Sequence, residues 1–333
     1  MNMYSIGDMA QIFLSRRQNM LLKNQINDLT TALSTGVVAD KTSHLGGNYG
    51  YLTDIEHDLE VLKGYKVAAN EASTMTEIMQ GALEQIQDSM EGVQQSAVMV
   101  TSTTNIAAIT TTSIAAIDSL NQIVSSLNTF SGGRALFSGT DVGTTPLVSA
   151  DDILTNALAA VGGATTVADI DAALETYFMG AGFNTDIYQG GTDFLSPIQL
   201  GEGESVDLTL KADDVALRAV MKATVMTALA TDPALGLSVA EQGELVQLGG
   251  AQLFSAHSEL TGVRAKLGFT EARVEESLTR IATESLGLEY AKSELIAADP
   301  FEIAARLENA QFQLEALYTV TARTASLNLM NYL

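Results

Sequence analysis

Apolar residues recur toward both ends of the chain at steps of four and three. Met79, Leu83, Ile86, Met90, Val93, Ala97 and Val100 keep that rhythm without a miss, and Ile117, Leu120, Val124 and Leu127 resume it. Nearer the other end, Leu260, Leu267, Val274, Ile281, Leu288 and Leu295 recur every seven residues. Such spacing gathers apolar side chains on one stripe of a helix. Thr270, Ser277 and Glu284 occupy the companion positions and thin the second stripe. It therefore predicts packing against several helices of one domain rather than a two-stranded coiled coil. The four prolines, Pro146, Pro197, Pro233 and Pro300, leave residues 1–145 and 234–299 free of that helix breaker. A continuous helix over 53–129 would be ~115 Å long at the α-helical rise, so the pattern predicts a rod.

Helix starts are written into the sequence. Thr53-Asp54-Ile55-Glu56 and Ser238-Val239-Ala240-Glu241 read as capping boxes, and Asp299-Pro300 joins a cap residue to a proline at the first helical position. Between about Ser131 and Leu237 the long periodicity stops. Ser131-Gly132-Gly133 is expected to end the first rod helix, and Phe137-Ser138-Gly139-Thr140 and Thr144-Thr145-Pro146 read as strand and turn. Asp151–Ala160 and Ala168–Phe178 read as short helices, and Glu204–Leu210 alternates like a half-buried strand. The fold class is thus mainly α: a long antiparallel helical rod with paired N- and C-terminal helices and a small α/β insert. Residues 1–36 and 300–333 form the terminal helices, 37–140 and 238–299 the rod with a short β element, and 141–237 the outer domain. The insert returns the chain to where it left, so the first and last helices are expected to run antiparallel.

The two ends are unusually apolar for chain termini. Ile6, Phe13 and Met20 are spaced by sevens, followed by Leu22, Ile26, Leu29 and Leu33. Ile303, Leu307, Ala310, Leu314 and Leu317 precede an ending rich in Leu327, Leu329, Met330, Tyr332 and Leu333. Either the ends cover only each other, or they pair and also meet neighbouring subunits. The second reading is favoured, because one helix pair cannot bury apolar residues on several sides. The candidate subunit-interface residues are Ile6, Phe13, Met20, Leu29, Leu33, Leu307, Leu314, Leu317, Leu327, Leu329, Tyr332 and Leu333.

Composition narrows the partners. Forty acidic residues face seventeen basic ones, a formal net charge of -23. Such a surface repels phosphate backbones and anionic membranes, so neither nucleic acid nor membrane is an expected partner. Residues 92–117 carry no charge, which keeps open a membrane-associated coiled-coil signalling or secretion protein as a competing class, but their Ser and Thr content favours a helix buried among helices. The chain has no cysteine, so thiolate chemistry and disulfides are out. His44, His57 and His257 share no metal-ligand spacing, and Gly46-Gly47-Asn48-Tyr49-Gly50 matches no phosphate loop. Asp151-Asp152 and Asp213-Asp214 read as cap and turn residues. No catalytic, cofactor or metal site is expected. The opening residues lack the basic start and apolar core of a cleaved signal, so any export is expected to use another route.

Several segments carry a resemblance. Leu33-Ser34-Thr35-Gly36 resembles the close of the first helix in flagellin-like axial proteins. Gly133-Arg134-Ala135-Leu136-Phe137-Ser138-Gly139-Thr140, Tyr188-Gln189-Gly190, Leu314-Glu315-Ala316, Thr321-Ala322-Arg323 and the ending Ser326–Leu333 are similar to the hook-associated protein 3 branch, the hook-filament junction proteins. Val37-Val38-Ala39-Asp40-Lys41 departs from the Arg-Ile-Asn stretch usual in flagellins. The resemblance implies a structural subunit of the bacterial flagellum that joins hook to filament, with flagellin itself as the alternative. It implies export through the flagellar type III apparatus to an extracellular site. It also implies a ring of copies, contacts with a neighbouring hook-associated protein and with flagellin, and an export chaperone on the C-terminal helix from about Ala310 to Leu333.

Overall fold

A computed structural model describes residues 6–47, 49–100 and 105–330. In chain order the helices are α1 (Ile6–Thr35), the short α2 (Lys41–His44), α3 (Tyr49–Met99), α4 (Ile106–Leu127), α5 (Ala150–Val161), α6 (Val167–Met179), α7 (Val215–Ala228), α8 (Val239–Ile296) and α9 (Pro300–Met330). Strands β1 (Phe130–Ser131) and β2 (Arg134–Ala135) form one antiparallel hairpin, and β3 (Ile198–Gly201) and β4 (Glu204–Val206) another. The chain divides into two compact units, Met1–Lys63 with Ala282–Leu333, and Gly64–Ile281.

The core of the Gly64–Ile281 unit is assembled from the predicted stripes. Met79, Leu83, Ile86, Met90, Val93, Ala97 and Val100 on α3 are all buried, as are Leu260, Leu267, Val274 and Ile281 on α8. The two helices run antiparallel here: the Gln80 amide donates to the Arg264 carbonyl (2.9 Å), and the Gln247 amide to the Val100 carbonyl (2.6 Å). Ser238 and Glu241 form the expected box at the start of α8, the carboxylate accepting from the Ser238 amide at 2.8 Å.

The continuous helix over 53–129 is not formed. α3 ends at Met99, and α4 starts afresh with Asn105 as its cap, the side-chain oxygen accepting from the Ala108 amide (3.3 Å). α4 then folds back along α3, with the Ser89 and Ser119 hydroxyls 2.5 Å apart and Ser126 donating to Gln85 (3.1 Å). The second apolar run therefore faces the first instead of prolonging it. Residues 101–105 are all Ser, Thr or Asn, types whose side chains compete for backbone hydrogen bonds and weaken a helix. Thr101–Thr104 lie outside the described residues. Among the described residues, no helix is long and apolar enough to cross a membrane.

α7 lies inside this unit. Almost every residue of it is buried, including Thr224 and Thr227, whose hydroxyls bond back to the Val220 and Ala223 carbonyls. A helix apolar all round belongs in the interior. Its one buried base, Lys222, is met by Asp171 (3.1 Å) and Glu175 (2.6 Å) of α6. α8 approaches α7 and α3 closely at two glycines. A Cβ on Gly249 would strike the Thr227 hydroxyl, and one on Gly250 would lie 2.5 Å from the Ala97 Cβ.

Three further expectations shift. Ser131-Gly132-Gly133 does not end a helix: α4 stops at Leu127, and the glycines (φ +57° and +80°) make the tight β1–β2 turn. Phe137–Thr140 is not a strand; it crosses the unit in a bend with Phe137 fully buried, its carbonyl accepting from Ala212 (2.9 Å). The Glu204–Leu210 strand ends at Val206, although Leu208 stays buried between exposed Asp207 and Thr209, so the alternation outlasts its ladder. The two internal segments of that resemblance, Gly133–Thr140 and Tyr188–Gly190, pack together here: the Gly191 amide donates to the Ser138 carbonyl (2.7 Å), and a Cβ on Gly190 would strike the Tyr188 ring and the Ser138 carbonyl. Lys211 lies over the Tyr188 and Phe194 rings and donates to the Thr192 carbonyl (2.9 Å). Burial pushes the Tyr188 phenol well above its usual range.

In the other unit, α1 ends at Thr35, with Gly36 at φ +71° as its left-handed stop. The Gly36 amide returns to the Ala32 carbonyl, while its own carbonyl accepts from Ala298 (2.9 Å), and the Val38 amide donates to Ile296 (3.0 Å). This clasp between two segments of the chain sets the direction of α9, which starts as expected with Asp299 accepting from the Phe301 amide at 2.9 Å. The Thr53 box is absent: α3 already begins at Tyr49, and the Thr53 hydroxyl bonds back to the Tyr49 carbonyl (3.1 Å). Leu52, Ile55 and Leu62 are buried, and Lys292 pairs with Glu56 (2.9 Å), which holds that carboxyl below its usual range.

Candidate assembly interface

α1 and α9 pack as an antiparallel pair, running in opposite directions from the clasp. Their shared seam follows heptad spacing. On α1 the inward positions are Ser15, Asn19, Leu22, Ile26, Leu29 and Ala32; on α9 they are Ile303, Leu307, Ala310, Leu314, Leu317 and Thr321. Only Ala32, Ile303 and Ala310 are fully buried, and the leucines are half-buried. Near its middle, Tyr318 meets Asn19 and Lys23, and the hydrogen bond from Asn19, with that from Lys23, holds its phenol below the usual range.

The candidate residues separate into two groups. Leu29, Leu307, Leu314 and Leu317 lie on the seam and face the companion helix. Phe13, Met20 and Leu33 are exposed, Phe13 by 67% and Met20 by 64%. The side chains of Ile6, Leu327 and Leu329, and residues Tyr332 and Leu333 altogether, lie outside the described residues.

The structure adds apolar side chains that the sequence reading passed over. Met9, Ile12, Leu14 and Leu21 are exposed on α1, and Phe301, Phe312, Tyr318 and Val320 on α9, with Phe301 at 87% and Phe312 at 70%. A shallow groove of about 430 Å³ runs between the helices, lined by Gln18, Leu21, Leu22, Gln313, Ala316, Leu317 and Val320. Leu14 and Leu21 stand seven residues apart, and Phe301 and Phe312 eleven, or three turns. Those spacings were the available signal for a second apolar face.

Among the described residues no cluster of His, Cys, Asp or Glu could hold a metal ion. His44 and His57 are exposed, and His257 sits beside Gln87 (3.3 Å). Asp152 and Asp214 serve helix starts, while Asp213 pairs with Lys211 (3.1 Å).

Residues 252–333 match the bacterial flagellin C-terminal helical region. That stretch takes in the second part of α8 and all of α9. No curated protein sequence matches the chain. Among solved structures, the fold is similar to FlgL of Bacillus cereus, with a TM-score of 0.53 and 14% identity over 72% of this chain and 99% of that one. A protein described as a flagellar hook-associated protein from Vibrio parahaemolyticus aligns over 71% of this chain and 94% of its own, with 14% identity and a TM-score of 0.42. The chain thus has a mainly α, flagellin-like fold.

Proposed function

We propose that this chain is a structural subunit of the bacterial flagellum, an adaptor that joins hook to filament by packing its terminal helices against neighbouring subunits. One observation carries the reading. The flagellin-type C-terminal region contains α9, and the α1–α9 pair leaves large apolar side chains uncovered on its outer faces. A monomer gains nothing from exposing two phenylalanines on one helix, whereas an assembly buries them. The likeness in fold to FlgL favours a hook-associated protein over a filament subunit.

On this reading the partners are further copies in a ring, a neighbouring hook-associated protein and flagellin, with an export chaperone held on α9 before assembly. The subunit works outside the cell in the flagellum, exported without a cleaved signal. Filament subunit is the second reading, favoured by the flagellin name of the matching region. The test is deletion of the gene in its source bacterium, with electron microscopy of cells and spent medium. Hooks without filaments, with filament subunit released, are expected for the adaptor. Hooks without released subunit would assign the filament role, and intact filaments would remove both.

A further inference from the structure

Beside their apolar stripes, α3 and α8 are joined by a polar ladder at seven-residue spacing. Gln80 and Gln87 on α3 meet Arg264 and His257 on α8. The hydrogens of this ladder have one consistent arrangement. A guanidinium holds donors and no acceptor. Arg264 Nη1 lies 2.6 Å from the Gln87 Oε1, so the Gln87 carbonyl is fixed toward Arg264. The Gln87 NH2 group is thereby turned to His257, 3.3 Å from the ring Nε2. That group only donates, so Nε2 must offer its lone pair. The neutral ring then carries its proton on Nδ1, which lies 3.9 Å from the Glu91 carboxylate.

We propose that His257 is an acid-sensitive latch between α3 and α8: the neutral ring accepts from Gln87, and the protonated ring gives up Gln87 for Glu91. A proton on Nε2 sets two donors against each other at the Gln87 contact. Turning the amide over only moves the conflict to Arg264, where the NH2 group would meet the guanidinium. One of the two contacts must break. The bond from Arg264 is charge-assisted and the stronger, so Gln87 stays with Arg264 and the ring withdraws. The His257 side chain is already 31% exposed and that of Glu91 44%, so the cation has both solvent and a carboxylate to move toward. The remaining charged groups near the ladder are engaged or exposed. Glu84 on α3 meets Arg264 at 3.9 Å. Asp88 on α3 and Glu259 on α8 are exposed. Asp171 of α6 reaches α8 at Gln252 and is held by Lys222. α4, packed on α3 at this level, meets it through the Ser119 and Ser126 hydroxyls.

The experiment labels the full chain with the heavy nitrogen isotope at histidine and glutamine and follows ring and amide signals by NMR between about pH 8 and about pH 5. The chain has three histidines, and the exposed His44 and His57 serve as solvent references. H257Q and Q87E identify the two signals of interest. At the upper pH the His257 ring is expected as the Nδ1–H tautomer, with Nε2 bare. As the ring takes up its proton, the Gln87 NH2 signal is expected to shift, and that shift is expected to be lost in H257Q. In Q87E the carboxylate still accepts from Arg264 but has no N–H to give, so the neutral ring is expected to switch to Nε2–H. Should Q87E lose helix by circular dichroism, Q87M replaces it, with the preference for Nδ1–H expected to vanish. A wild-type ring in the Nε2–H form, a Gln87 signal indifferent to the titration of His257, or a variant ring that keeps Nδ1–H would each overturn the latch and leave the flagellar reading standing.

Discussion

Substitution of Phe13 by Ser separates what the terminal helices do for the monomer from what they do for assembly. Phe13 is 67% exposed on α1. A phenylalanine offers about 200 Å² of surface, so roughly 130 Å² of this ring is in water. Removing it from an exposed helix position should change monomer stability by no more than about 0.5 kcal/mol. Covering it in an interface is worth about 3 kcal/mol at ~25 cal/mol per Å², roughly a hundredfold in association. Ile303→Ala is the control, because Ile303 sits on the seam at 8% exposure. Truncating a buried isoleucine costs about 2–5 kcal/mol, and that loss should appear as early exchange of α1 and α9 amides. Urea unfolding and sedimentation are measured on both. Phe13→Ser should keep the unfolding midpoint and lose association, and Ile303→Ala should lower stability. A Phe13→Ser chain that unfolds early yet associates normally would refute the assignment of the ring to an interface.

Two other outcomes test the larger unit. Gly250→Ala sets a Cβ 2.5 Å from the Ala97 Cβ, so α3 and α8 must part. Overpacking of about 1–3 kcal/mol, less the ~1 kcal/mol gained by replacing a helical glycine, should lower the urea midpoint. Ala97→Gly in the same chain should recover part of it, and an unchanged midpoint in Gly250→Ala would refute the close approach. At Glu204, burial pushes the carboxyl up, but hydrogen bonds from Arg280 and Ser277 outweigh it and hold the group below its usual range. A depressed folded pKa contributes stability above the unfolded value that is lost as pH falls through the folded one. Between pH 7 and pH 3, wild type should therefore lose more stability than Glu204→Gln. Parallel losses would show that the Glu204 contacts do not anchor the β3–β4 hairpin to α8.

The long helices were legible because their stripes are dense: every position of the four-and-three stripe from Met79 to Val100 is buried. Periodicity does not register a reversal, however. The Ile117–Leu127 run keeps the same phase whether α4 extends α3 or folds back on it, and only the weak helix formers up to Asn105 hint at the turn. α7 was invisible for the opposite reason, since a helix buried all round has no polar face to set a period. Thr53-x-x-Glu56 matched a capping box because the motif names residue types, not the point where a helix begins, and α3 starts one turn earlier. At the terminal pair, seven-residue spacing marks Phe13 and Met20 as readily as Leu307 and Leu314. Which stripe meets the companion helix depends on the rotation of the pair, which one sequence does not encode locally.

The clasp that joins Gly36 and Val38 to Ile296 and Ala298 has a kinetic consequence. It links backbone groups some 260 residues apart, and closing a loop of that length costs ~5 kcal/mol of chain entropy by the logarithmic rule. Contacts within α3–α4 or α5–α6 close over far shorter distances and form first. The pairing of α1 with α9 is therefore expected to come last in folding. On the proposed reading, the surface offered to a neighbouring subunit is complete only once both ends are paired, so association is expected to follow the closing of the clasp.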